Sequence, residues 1–518
     1  MVSTTHVGPA LLLLAAASVV YLRHFHPLAN VPGPFLESLT ELHRFYYNFV
    51  KSGTHSLQLE RYREKYGPVI RIAPNEVLLN DPEHYETIYS ANTKFYKDPT
   101  LYSTTGPDTS IFAMTHNEDH RLYRAVLNPF FSRRSVLGQE YIVQRKTDKL
   151  LARLDADSDR GKPTEIGMGF CAISVDVILE CSFGAEACWN MLDREDFGVW
   201  YNDVIRSSAS IMWLLRFASF LRPVMYGMPH WLARLVYPVS AGIMDAAKVI
   251  TSYVKRVVSD IDAGLVPKRK TIFHTVMDPE VTSSGDFDKS IVTVPHMVDE
   301  AVVLIGAGAE TVGNAMTVCT WRALLDPEIY KTLRAELVAA FPDPTQPVDF
   351  LTLEKLPYLS AVVKESLRLS YGVMHPLPRT VVNMCSFLMH RDPSLFPYSD
   401  KFDPQRWLNP DAQLVAGREK CLVPFSKGNR SCIGQPLAMC ELYVVLGRRF
   451  RKSDDLVLVD VRPEDMLYQD YFGAMHPRGQ VRGYARESWA WLEGAERQWE
   501  AEWKARPVSS LQVTRSAA

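Results

Sequence analysis

Ten residues near the carboxy-terminal end, Phe425-Ser426-Lys427-Gly428-Asn429-Arg430-Ser431-Cys432-Ile433-Gly434, constrain this chain more than any other stretch. The cysteine sits between glycines, on a loop that runs into Gln435-Pro436-Leu437-Ala438-Met439, where proline is tolerated in the first turn of a helix. Backbone N–H groups at such a junction stabilise a negative charge and lower a thiol's pKa without quenching the thiolate. Gly428 and Gly434 permit a tight turn and a close approach of the backbone to a flat group. Arg430 brings a cation to the same loop. Cys432 is therefore a candidate metal-ligating thiolate. The remaining cysteines form no C-x-x-C pair and read as buried free thiols in a reducing compartment.

Three further groups of residues bear on that loop. Ala307-Gly308-Ala309-Glu310-Thr311 lies inside the apolar run Met297–Leu325, which reads as one long helix with a small-residue patch followed by an acid and a hydroxyl. Glu365-Ser366-Leu367-Arg368 sets an acid and a base on one helix face, and Phe402-Asp403-Pro404-Gln405-Arg406-Trp407 follows downstream. His120 and Arg124 share a face in His120-Arg121-Leu122-Tyr123-Arg124, ahead of Leu127-Asn128-Pro129-Phe130-Phe131-Ser132. Each pattern alone is common; their order and spacing together are not.

With these motifs the chain resembles the cytochrome P-450 superfamily over nearly its whole length, as F-x-x-G-x-R-x-C-x-G, [AG]-G-x-[DE]-T, E-x-x-R, F-x-P-x-R-W and a W-x-x-x-R helix with His120 in the tryptophan place. The resemblance implies a mainly α fold with small β-sheets and a haem b whose iron takes Cys432 as axial ligand. It implies that Arg430, His120, Arg124 and Arg379 approach the propionates, and that Phe425, Gly428 and Gly434 shape the loop. Ala307 and Gly308 would leave room for dioxygen. Glu310 and Thr311 would deliver protons to break the O–O bond, the thiolate pushing electron density the same way. Glu365, Arg368 and Arg406 would form the buried network behind the haem. Val312 departs from the second hydroxyl that relatives often carry. The implied activity is insertion of one oxygen atom into an apolar small molecule, with NADPH electrons arriving through a separate reductase. Arg121, Arg133, Arg134 and Lys427 are candidate docking charges. Pro32-Gly33-Pro34 and Tyr66–Glu76 are similar to filamentous-fungal members, trichodiene-oxygenase-like enzymes of secondary metabolism among them, which implies a terpenoid or related metabolite. Two other readings keep the haem: an isomerase or dehydratase, against which Glu310-Thr311 argues, and a non-catalytic haem-binding relative.

Organisation follows the same frame. Val7–Leu22 is apolar and uncharged, with Arg23 after it, so residues 1–22 read as an uncleaved single-pass anchor that leaves the body cytoplasmic, at the endoplasmic reticulum membrane. A cleaved signal peptide is the rival, disfavoured because no basic segment precedes the apolar run. Residues 23–34 read as a stiff proline-rich hinge, 35–485 as the haem-thiolate domain, and 486–518 as an amphipathic helix and tail. Two short strands are expected at Tyr66–Ile72 and Glu76–Asn80, a helix at 82–90, and soft breaks at Asp155–Pro163 and Met277–Lys289. The Trp-, Phe-, Leu- and Met-rich stretch Ala209–Met244 is either core helix or a substrate lid that touches the bilayer. A net charge of −2 with no long basic run excludes a nucleic-acid binder. One departure stands out: only Thr380–Met389 separates Arg379 from His390, where relatives insert a β-hairpin. Either the sheet is trimmed or coding sequence is missing there.

Overall fold

The computed structural model describes residues 7–104, 109–187, 189–236, 238–265, 270–278, 292–343, 346–379, 382–452, 456–459, 461–476 and 482–485. Most of the expected 277–289 loop and the expected 486–518 helix lie outside them.

The longest element is the helix Val294–Leu325. Thr293 caps its start by accepting the His296 amide, with Pro295 in the first turn, where a missing N–H costs nothing. Asp326 ends it by turning the chain and capping the next helix, Pro327–Ala340, through the amides of Glu328 and Ile329. This central helix packs on Ile166–Phe183, Pro357–Ser370, Pro238–Asp262 and Gln435–Lys452. Both it and Ile166–Phe183 are long and apolar enough to cross a membrane, yet they are 61% and 94% buried in the body; an all-round apolar helix buried in this way is core. The helix Arg133–Asp159, capped by Ser132, runs on past Asp155, so the first soft break is confined to the residues after Asp159.

The strands are short: β1 Val69–Ala73, β2 Glu76–Leu79, β3 Thr164–Glu165, β4 Val382–Asn383, β5 Leu456–Val459, β6 Gln469–Tyr471, β7 Gly473–Met475 and β8 Arg482–Ala485. They form sheets β1-β2-β4, β3-β8-β5 and β6-β7. The β1-β2 hairpin matches the two expected strands, each trimmed at one end or shifted by a residue. Between Arg379 and His390 the chain makes the two-residue β4, parallel to β2, and the helical turn Ser386–Met389.

Only the Gly8–Phe25 candidate span stands clear of the body, with none of it buried. The helix passes Leu22 and ends at Phe25 in a wider turn, so the first residues assigned to the hinge are helical. The rest of the hinge is pinned. Arg71, 0% exposed, donates from Nη1 to the Leu22 carbonyl at 2.9 Å and from Nη2 to the Pro74 carbonyl at 2.9 Å. Its backbone N–H donates to Pro32 at 2.7 Å. Gly33 lies so close that a Cβ there would meet the Arg71 carbonyl oxygen at 2.2 Å.

Residues 209–244 divide. Met212, Trp213, Leu215 and Ala233 are core, whereas Phe217, Phe220, Val224, Trp231, Leu235 and Val236 are exposed. Phe217 stacks on Phe45 at 4.6 Å, beside exposed Leu42, Tyr46, Phe49 and Val50. Core helix therefore describes only the first part of the stretch.

Replacing Arg71 by alanine strips donors from half-buried carbonyls of Leu22 and Pro74, at a cost of about 1–3 kcal/mol. The expected outcome is faster proteolysis between residues 23 and 34 and a lower melting temperature; an unchanged cleavage pattern would show that the junction does not depend on this side chain.

Candidate active site

The Phe425–Gly434 loop is built by its own backbone. Gly428–Arg430 is a single 3-10 turn, the Ser431 amide donates to Gly428 at 3.1 Å, and the Cys432 amide donates to the Phe425 carbonyl at 2.8 Å. Gly428 has φ +70°, and a Cβ there would lie 2.1 Å from the Tyr89 carbonyl oxygen, so the close approach it permits is to another backbone. Gly434 is unstrained; its Cβ would meet only Cys432 Sγ, at 3.9 Å. Cys432 is exposed, whereas the other described cysteines are buried. Burial nonetheless dominates its thiol and pushes the pKa up, against the pull of the Gly434 amide, the Arg124 guanidinium and the Gln435 amide. The side chain is thus accessible at its surface while protein surrounds it. The amide cradle expected from the sequence is present, although the balance for the free thiol runs upward.

On the central helix, Ala307 and Thr311 are exposed where their neighbours Ala309 and Val312 are buried. Thr311 Oγ1 donates to the Ala307 carbonyl at 2.8 Å. Gly308 faces away: a Cβ there would touch Ile178 at 3.4 Å, so its small size serves helix packing, not the space expected for dioxygen. Glu310 turns toward Cys171, Tyr201 and Arg206. Burial pushes its carboxyl up to about 7 and Arg206 pulls it back, so it exchanges its proton near neutrality.

Five cationic residues converge beside the loop: Lys97, His120, Arg124, Arg379 and Arg430. Lys97 is held well below its usual range by burial, Arg430, Arg379 and Arg124. His120 is pushed down to about 2 by burial, Arg430, Lys97, Arg124 and Arg379. Arg430 falls to about 9 by burial and Arg379. No carboxylate pairs with any of the five among the described residues, and Nε and Nη1 of buried Arg379 have no partner. The cations also hold backbone. Arg124 donates to the Asn429 and Ser431 carbonyls, and Arg430 to those of Met114, Thr115 and His116. Lys97 was not found from the sequence. It stands in an ordinary Phe95-Tyr96-Lys97-Asp98-Pro99 helix start, and only the fold reveals its burial.

Behind the loop, Glu365 and Arg368 are both 0% exposed and doubly bonded, Nε to Oε2 at 2.9 Å and Nη2 to Oε1 at 2.7 Å. Trp407 Nε1 donates to Oε2 at 2.9 Å, the Asp403 amide to Oε1 at 3.0 Å, and Arg406 Nε stands 3.4 Å from Oε1. Of the cations proposed for docking, Arg121 is paired with Glu118, Arg133 with Glu354 and half-buried Lys427 with Glu86; Arg134 is exposed. Three of the four charges thus have a carboxylate beside them.

The family model for cytochrome P450 matches residues 38–387 and 378–481, two segments that overlap where the β-hairpin was found wanting. The tryptophan 6-hydroxylase fscE of Fusarium equiseti is 33% identical over 447 residues, covering 83% of this chain and 86% of that protein. The conidiogenone synthase PchP450 of Penicillium rubens is 34% identical over 486 residues, covering 89% and 94%. The cytochrome P450 monooxygenase TRI4 of Fusarium sporotrichioides is 29% identical over 487 residues, covering 88% and 91%.

Two outcomes test the site's support. Glu365→Gln leaves Arg368 buried without its counter-charge and should cost about 3–5 kcal/mol, read as a shifted urea midpoint; a shift below about 1 kcal/mol would place the network's value elsewhere. Glu441, on the helix that follows Cys432, is pushed by burial from 4.5 up to about 8. Its contribution is fully present below the unfolded value and lost as pH rises through the folded one. Between about pH 6 and 7.5 the unaltered chain should lose roughly 1.4 kcal/mol per pH unit relative to Glu441→Gln. Parallel urea midpoints across that range would contradict the shift.

Proposed function

The chain belongs to the cytochrome P450 family, and from that membership we propose that it is a membrane-anchored haem-thiolate monooxygenase that inserts one atom of dioxygen into an apolar small molecule, a terpenoid or related metabolite of the fungal secondary type. The observation that carries the proposal is the pairing of Cys432, on its amide-lined loop, with a buried cation cluster that has no counter-anion. A flat group bearing two carboxylates and an iron fits that donor set: Cys432 toward the metal, and Lys97, His120, Arg379 and Arg430 toward the carboxylates. Bound there, haem b would supply the oxygen-activating iron, its thiolate ligand favouring O–O cleavage.

The chain's own residues do the rest. Ala307 keeps the exposed stripe of the central helix low. Thr311 can turn its hydroxyl from the Ala307 carbonyl toward a bound substrate, and Glu310, exchanging its proton near neutrality, restores the proton it gives up. NADPH electrons would come through a separate reductase docking on the Cys432 side, with Arg134 the exposed cation there and Arg121, Arg133 and Lys427 exchanging their present partners for its acids. Arg23, after the apolar run Val7–Leu22, favours a cytoplasmic body at the endoplasmic reticulum membrane, and the exposed apolar residues within 217–236 and 42–50 would rest against lipid. The relatives whose names specify tryptophan hydroxylation or conidiogenone synthesis make both aromatic and terpenoid substrates reasonable first panels.

A second reading, a haem-binding relative without turnover, is favoured by the short stretch between Arg379 and His390. The two readings separate in one experiment on the full chain in detergent, reduced with dithionite and exposed to carbon monoxide. A strongly red-shifted Soret band, lost in Cys432→Ala, is expected. Thr311→Ala should keep the band and lower product formed per NADPH by about 10²-fold. A band with no product across both substrate panels would favour the second reading, and the absence of a shifted band would overturn both.

A further inference from the structure

The end of the helix Val199–Phe217 meets the amino-terminal part of the body around one buried acid. Glu76, on β2, accepts Arg216 Nη2 at 2.6 Å, Arg44 Nη2 at 2.6 Å and Arg44 Nη1 at 3.2 Å. Glu41 Oε2 stands 3.2 Å from Arg44 Nη1 and 3.6 Å from Arg216 Nε. Two carboxylates thus face two guanidiniums, and the charges match. The hydrogen bonds do not. Arg44 and Arg216 are 3% and 9% exposed, yet Arg44 Nε, Arg216 Nε and Arg216 Nη1 have no hydrogen-bond partner among the described residues. A buried donor left unmet costs about 1–3 kcal/mol, so three such nitrogens on two neighbouring side chains call for an acceptor oxygen.

Both arginines line a cavity together with Glu41, Phe45, Trp213 and Phe217, with room for about one water molecule. An anion placed there would lack a counter-charge, because the two arginines already face Glu76 and Glu41. A neutral carbonyl oxygen meets the donors without that cost. Its carrier must be apolar. Phe45 and Phe217 stack at 4.6 Å on the cavity wall, and Leu42, Tyr46, Phe49 and Phe220, close to them in sequence, are exposed. Strand β1 sets the cavity beside the anchor, since its adjacent residues hold both. Arg71 donates to the Leu22 carbonyl, and the Ile72 carbonyl accepts Arg44 Nη2 at 3.2 Å. The arginines therefore lie next to the end of the apolar helix, where a spanning segment leaves the hydrocarbon for the ester and headgroup layer.

We propose that Arg44 and Arg216 form a binding site for the ester carbonyl of one bilayer lipid, whose acyl chains run over Phe45 and Phe217. This rests on the reading of residues 1–22 as a membrane anchor and is independent of the haem. The site selects by linkage and not by charge. An acyl ester presents the acceptor, whereas a dialkyl ether lipid of the same headgroup and chain length has no carbonyl to offer. A lipid held there ties the end of the helix Val199–Phe217 to the bilayer through two side chains whose other donors already hold β2.

The test places the full-length chain in lipid discs of equal parts dioleoyl phosphatidylcholine and its dialkyl ether counterpart, and counts the lipid retained on release by native mass spectrometry. The ester lipid should be retained about tenfold over the ether lipid, within the worth of one hydrogen bond from a charged donor. Arg216→Lys keeps a charge for Glu76 but removes the free guanidinium donors, and should bring the ratio to about one. Equal retention by the unaltered chain, as for a cavity that holds water only, would overturn the inference, and so would an unchanged ratio in Arg216→Lys. Discs carrying phosphatidylglycerol in both linkages separate headgroup from ester: retention that follows the negative headgroup whatever the linkage would also overturn it. Should Arg216→Lys fail to accumulate, Phe217→Ala on the exposed rim decides: a ratio falling toward one sustains the inference, and an unchanged ratio overturns it. A chain that does not float with vesicles would count against the anchor reading, whereas one that floats without preferring the ester counts against the lipid site alone.

Discussion

Glu365 is a carboxylate that meets no water and is held by the Arg368 guanidinium, the Trp407 indole and the Asp403 amide. A charge in such a place is tolerable only while each of those donors stays where it is, and the donors come from two separate stretches of chain, the helix Pro357–Ser370 and the turn Asp403–Trp407. Arg368 extends the constraint by donating to the carbonyls of His390, Ser399 and Lys401. His390 then carries it forward: its Nδ1 donates to the Arg368 carbonyl at 2.9 Å, and its Nε2 accepts the Val423 amide at 2.9 Å. That fixes one neutral tautomer, consistent with burial and Arg368 driving its pKa down to about 3. Val423 in turn accepts the Ser426 amide, and the cysteine loop begins there. The path from the buried ion pair to Cys432 is an unbroken run of hydrogen bonds.

The other side of the loop is tensioned by charges of one sign. Arg124 and Arg430 are tied into carbonyl oxygens, which fixes their position without neutralising them. Lys97 and His120 have yielded instead, each driven toward its neutral form by burial and by the arginines around it. Mutual repulsion in a shielded site costs free energy that a dianion would return. The protein therefore gains stability from such a ligand in proportion to how poorly the cations are satisfied without it. The same logic explains why the free thiol of Cys432 sits high: burial outweighs two amides and one guanidinium until a metal cation adds its own charge.

What could be read from the sequence follows the range of the interaction. The cysteine loop, the Glu365–Arg368 pair and the Ala307–Thr311 patch are set by spacing within one turn or one helix, and a string of residues displays that spacing. Phe402–Trp407 was legible because its type and order travel with the pair. Lys97, Glu76 and Arg71 were not, because each acts on chain far from it in sequence: Lys97 on Phe112 and the arginines, Glu76 on Arg44 and Arg216, Arg71 on Leu22 and Pro32. Nothing local distinguishes a lysine that will be buried from one that will not. The reading of Gly308 failed for a related reason. Small residues on a helix leave room on whichever face they turn, and only the position of Ile178 says which. The partner of Arg133 was hidden for the same reason, since Glu354 lies far from it in sequence.

The short stretch after Arg379 shows how far the site depends on its sheet. Val382 and Asn383 give β2 a partner only two residues long, and a sheet so trimmed buries little of its own face. Yet the Arg379 amide donates to the Val382 carbonyl at 2.8 Å and the Arg379 carbonyl accepts the Val382 amide at 2.9 Å, while the Arg379 backbone also bridges that of Lys97. Tyr89 closes the turn from beneath, its hydroxyl donating to the Leu377 carbonyl and accepting the Met384 amide. Arg379 is thus delivered to the cation cluster by local pairing and one buried tyrosine, without help from a longer strand. Missing sheet would loosen the chain around β4, whose described partner is β2. The residues proposed to hold the iron and the carboxylates would stand where the fold already holds them.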